Sequence, residues 1–66
     1  MKKKTSKMRE LRFFKGLTLD ELYLLTGRKL PMPKLSRIER GIVIPTEEEK
    51  RLIAGALKEP VERIFE

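Results

Sequence analysis

Leu35-Ser36-Arg37-Ile38-Glu39-Arg40-Gly41 is the stretch on which the reading of this chain turns. Leu35 and Ile38 stand three apart, so on a helix they share one buried face. Ser36, Arg37 and Arg40 point elsewhere, toward solvent or a partner. Gly41 follows the last periodic residue and supplies the left-handed backbone on which helices commonly stop. The pattern predicts a short helix with an apolar back and a cationic front, suited to lie against an anionic polymer.

Working outward, Pro31 and Pro33 are both tolerated only at a helix start, where an amide hydrogen has no internal partner. The helix is expected to begin between them and to end at Arg40. Arg28 to Pro31 read as a turn, and Gly27 as the break that ends the preceding helix. That helix opens on Thr18-Leu19-Asp20-Glu21, a capping box in which the Thr oxygen caps and the Glu reaches back. It runs to about Thr26, with Leu22 and either Leu25 or Thr26 inward. A first helix from about Ser6 turns Met8 and Leu11 inward, carries Phe13 and Phe14 near its end, and stops at Lys15-Gly16. Downstream, Ile42 to Pro45 form an apolar connector with no second strand to pair with. Thr46-Glu47-Glu48-Glu49 is a second capping box, with acids in the first turn where the helix dipole favours them. Leu52, Ile53, Ala56 and Leu57 follow at helical spacing. Pro60 then starts a last short helix that presents Val61, Ile64 and Phe65. The expected fold is all-α, a compact bundle of five short helices.

Composition narrows the function. The 66 residues allow one domain, expected over 6–66 behind a flexible basic arm at 1–5. There is no Cys and no His, which removes disulfides, thiolate metal sites and the usual general base. No apolar run approaches a membrane span of about 20 residues, and no signal-peptide core follows the basic start. A cytoplasmic protein is expected. The net charge of +6 is uneven: residues 1–45 hold 12 Lys/Arg against 4 acids, and residues 46–66 hold 4 against 6. A strongly cationic end suits nucleic acid. A solvated Lys/Glu surface without Asn or Gln also matches the composition of heat-adapted proteins. No nucleophile–base pair or Gly-rich phosphate loop supports catalysis, so neither an enzyme nor a cofactor or metal is expected.

From Met8 to Phe65 the chain resembles the helix-turn-helix domain of the lambda repressor and Cro type. The resemblance rests on Met8-Arg9-Glu10-Leu11-Arg12, Gly16-Leu17-Thr18 with Glu21-Leu22, Thr26-Gly27, and above all Leu35 to Gly41. Pro45, Leu52-Ile53-Ala54, Ala56-Leu57 and Val61 to Phe65 extend it. It implies a lambda repressor-like five-helix bundle that binds double-stranded DNA as a symmetric homodimer, with helix three, about 32–40, in the major groove. The implied protein is a small, nucleoid-associated transcriptional regulator. Two departures stand out: two additional residues between Gly27 and Leu35, and Tyr23 where the family usually has a small residue. The longer turn is expected to make room for the ring. These departures motivate the alternative, a protein-interaction module on the same fold.

By position, the resemblance assigns Met32 and Lys34 to the leading edge that reaches bases, and Arg37 to bases one turn later. Thr18, Ser36 and Arg40 fall beside phosphates, and Arg28 and Lys29 are candidate phosphate clamps. Each cation has a plainer reading as a solvated surface charge. Without Asn or Gln, bidentate reading of adenine is excluded, and Arg37 would favour guanine. Glu39 is expected to form a structural salt bridge, with Arg12 as the suggested partner. Ile64 and Phe65 either close the monomer core or, if exposed, form the dimer contact.

Overall fold

Five helices order the chain in the computed structural model, which describes residues 7–65. They are α1 (Lys7–Phe14), α2 (Leu19–Leu25), α3 (Met32–Glu39), α4 (Glu47–Leu57) and α5 (Val61–Ile64). No strand occurs among the described residues. The expected basic arm and the start at Ser6 lie outside them. Helix bounds otherwise fall within one residue of the expected ones.

Four of the five helices have eight residues or fewer, too short to persist alone in water. Their ends and their packing hold them. Both expected capping boxes form: Thr18 Oγ1 accepts from Glu21 N at 3.1 Å and Thr46 Oγ1 from Glu49 N at 3.2 Å. The reciprocal carboxylates accept from Thr18 N and Thr46 N, each at 2.9 Å. At the other end of α3, Gly41 N donates to Ile38 O and Ile42 N to Arg37 O, the paired closure that uses a residue of positive φ. Gly41 supplies it with φ +79°. α4 closes in the same way on Lys58, a side-chain-bearing residue held at φ 59°.

The core gathers Met8 from α1, Leu22 from α2, Leu35 and Ile38 from α3, Ile53, Ala54, Ala56 and Leu57 from α4, and Ile64 from α5. Leu30 joins them from the turn. Of the two alternatives on α2, Thr26 is the buried one and Leu25 is exposed. Thr26 satisfies its hydroxyl by donating to Tyr23 O at 2.7 Å. Ile64 is 2% exposed, so its side chain closes the monomer core and offers nothing to a second subunit. Of its two expected roles, Ile64 takes the one in the core, and as a dimer-contact candidate it is corrected by its burial. Phe65 is half-buried against the core with Lys50 Nζ 5.9 Å from its ring centre.

A charged pair also lies within this apolar frame. Arg12 donates from Nε to Glu39 Oε2 at 2.7 Å and from Nη2 to Glu39 Oε1 at 3.2 Å. Its remaining Nη1 donates to Leu17 O at 2.9 Å. Both side chains are nearly sealed from water. The salt bridge suggested for Glu39 is thus formed, and it ties α1 to α3 and to the loop before α2.

Removing one member of a buried pair leaves an uncompensated charge and costs about 3–5 kcal/mol. Glu39→Gln or Arg12→Met should lose about that much in urea unfolding, while Arg12→Met with Glu39→Leu should lose distinctly less. Releasing the left-handed strain at Lys58 should gain stability, so Lys58→Gly should raise the unfolding free energy by about 0.5–1 kcal/mol.

Candidate nucleic-acid interface

α2 and α3 pack directly on each other, and the turn between them is built from its own backbone bonds. Gly27 N donates to Leu24 O at 3.0 Å and Arg28 N to Tyr23 O at 3.1 Å. Two successive residues take positive φ, Gly27 at 76° and Arg28 at 62°. Leu30 then turns inward, 3% exposed, before Pro31 leads into α3. The turn is therefore anchored to the core by Leu30. Tyr23 packs half-buried against the same core.

On α3 the inner row is Leu35, Ile38 and Glu39, all buried. Pro33, Arg37 and Arg40 occupy an exposed row, as their spacing of four and three requires. Arg28 and Lys29 are exposed in the turn. None of Arg28, Lys29, Arg37 or Arg40 takes part in an ion pair with another described residue. The turn and the outer row of α3 are thus a cationic surface with its charge uncompensated. Met32 is 37% exposed at the first position of α3, and Ser36 is half-buried beside Arg37.

Lys34, in the first turn of α3, makes a contact across to α4. Its ammonium is directed at Glu49 Oε2, 2.5 Å away at the start of α4. Glu49 is also the capping carboxylate of α4. The hydrogen bond from Lys34, reinforced by the one from Thr46 N, holds the Glu49 carboxyl below its ordinary value of 4.5. Lys34 therefore braces α3 against α4, and one of its three N–H donors is engaged there. Thr18 uses its hydroxyl oxygen as the cap of α2, leaving only the hydroxyl hydrogen for a phosphate. Asp20 and Glu21 stand beside it in the first turn and oppose an anion there. Of the expected base readers, Met32 and Arg37 are exposed, and Lys34 is paired with Glu49 while its side chain stays 39% exposed.

Sequence reading missed the Lys34–Glu49 bond, which joins positions 15 residues apart across a loop. A lysine opposite a capping acid carries no local signal. The exposed Ile42 (63%) and Ile44 (86%) were also missed. Val43 between them is half-buried against the core.

No helix among the described residues is long and apolar enough to cross a membrane. They contain no cluster of acids that could hold a metal ion. Comparison with family models, curated proteins and solved structures finds no match to this chain.

Glu49 is ionised more readily in the folded chain than in the unfolded one. Its contribution is therefore complete above the ordinary carboxylate range and is lost as pH falls through its folded-state value. Thermal unfolding of wild type should drop between pH 6 and pH 3 by more than that of Glu49→Gln. Equal drops would show that the Lys34–Glu49 bond adds no pH-dependent stability.

Proposed function

We propose that the chain is a double-stranded DNA-binding protein of the lambda repressor-like helix-turn-helix type, acting as a small transcriptional regulator. α3 would enter the major groove and α2 would lie across its edge. The observation that carries this reading is the division of α3. Its inner row, closed by the Arg12–Glu39 pair, is fixed in the core, and its outer row presents Arg37 and Arg40 uncompensated beside Arg28 and Lys29. A helix held rigidly on one side with a cationic outer row suits an ordered array of phosphates and base edges. Arg37 is the reader of a guanine edge, with Met32 against a thymine methyl. Arg28, Lys29, Arg40 and the edge residue Ser36 are phosphate contacts.

A second reading, a protein-interaction module on the same fold, draws on a different observation. Leu24, Leu25, Ile42 and Ile44 are large apolar side chains between 48% and 86% exposed. Their contact with another protein would bury surface that DNA would leave wet.

Anisotropy titrations on duplexes selected from a random library separate the two. Three phosphate-neutralising cations, Arg28, Lys29 and Arg40, predict that log affinity falls with log salt at a slope of roughly −3 for each bound subunit. Arg40→Ala should weaken all duplexes alike and lower that slope by about 1. Arg37→Ala should erase about 1–3 kcal/mol of discrimination at one base pair. If no duplex binds at low salt, the DNA reading fails and the exposed apolar residues become the surface to pursue.

A further inference from the structure

Arg28, Lys29, Arg37 and Arg40 make no ion pair with a described residue, whereas Lys34 gives its ammonium to Glu49. The acid that holds it is itself fixed. Glu49 Oε1 accepts from Thr46 N at 2.9 Å as the cap of α4, and Glu49 Oε2 accepts from Lys34. The Glu49 side chain is only 15% exposed. An ordinary surface pair must order two flexible side chains, which cancels most of its gain. Here the cap has already ordered the carboxylate. Glu47, 77% exposed one turn edge away, meets Lys50 at 3.5 Å without such support.

A free lysine on a DNA-facing surface takes any phosphate and adds affinity without sequence preference. Lys34 lacks that freedom. A phosphate drawn to its ammonium also meets the Glu49 carboxylate bonded to the same nitrogen, and like charges repel. The ammonium keeps two further N–H donors, enough for a neutral acceptor, but its charge is already compensated. On a selected duplex, base contacts fix the register of α3, and the phosphates fall to Arg28, Lys29 and Arg40. On an unselected duplex the chain settles wherever most cations meet phosphates, and there a free Lys34 would add to the binding.

We infer that Glu49 is a specificity-determining residue of the α3 surface. By compensating Lys34 it withholds one cation from phosphates, and so weakens binding to unselected DNA more than to selected DNA. The inference rests on the DNA reading and adds to it an acid on α4 that acts through Lys34. Specificity is a difference of affinities, gained by weakening the wrong complex as well as by strengthening the right one.

Anisotropy titrations of the full chain on a selected duplex and on a scrambled duplex of the same composition test it. Glu49→Gln removes the charge and keeps a residue type that serves in a capping box. It should bind the scrambled duplex severalfold more tightly, steepen the salt slope there by about 1, and lower the ratio of selected to scrambled affinity. Glu48→Gln removes an exposed acid that makes no ion pair with a described residue, and should leave the slope as in wild type. Lys34→Met alone should leave the scrambled slope unchanged, and added to Glu49→Gln it should cancel the steepening. An unsteepened slope in Glu49→Gln, an equal gain on both duplexes, or a steepening that survives Lys34→Met overturns the inference. If wild type binds no duplex, the DNA reading fails and this inference with it. If wild type binds and Glu49→Gln matches it, the inference alone falls.

Discussion

Arg12 and Glu39 lie 27 residues apart in the chain and share one site almost sealed from water. Desolvating two charges is costly, and only good geometry with further hydrogen bonds offsets it. Here the guanidinium meets both carboxylate oxygens and also donates to Leu17 O. That arrangement is directional where apolar packing is not. It fixes how far α3 is rotated about its own axis relative to α1, and it pins the loop that feeds α2. Phe13 covers the exposed side of the guanidinium, its ring centre 4.9 Å from Arg12 Cζ. Any rotation of α3 that moved Arg37 or Arg40 inward would have to break this pair.

The helices themselves are too short to stand without tertiary support. Their ends therefore carry unusual weight. Two capping boxes satisfy the starts of α2 and α4, and left-handed residues close the far ends of α2, α3 and α4. Glu49 joins both kinds of support. It caps its own helix and accepts Lys34 from α3, so the start of the longest helix is also a brace for the candidate recognition element. The side chains of α3 are consequently sorted into three directions. Leu35, Ile38 and Glu39 go to the core, Lys34 to α4, and Arg37 and Arg40 to solvent.

Much of this was readable residue by residue. The Thr-x-x-Glu boxes marked two helix starts because the chemistry of a cap is local. Pro31 and Pro33 marked a third, and Gly41 marked an end, for equally local reasons. Leu35 and Ile38 declared the inner face by spacing alone. Glu39 was legible by exclusion, since a carboxylate on a cationic helix is best explained by a partner cation. Where packing decides, the reading weakened. Leu25 and Thr26 were equal choices on periodicity, and the core took the smaller, hydrogen-bonded Thr26. Ile64 was open between closing the core and meeting a second copy, and it lies within the core.

By itself, then, the sequence determined where the helices begin and end, that α3 has one apolar and one cationic side, and that the positive charge collects in the first 45 residues. These properties depend on neighbours within a turn or two, or on composition. Only the tertiary structure decided that Lys34 is directed at Glu49, that Leu30 anchors the turn, and that Phe14 is left exposed at the end of α1. Each depends on which surfaces of distant helices meet. That is set by how the whole apolar set can be buried at once, with every buried side-chain nitrogen and oxygen of the described residues still given a partner.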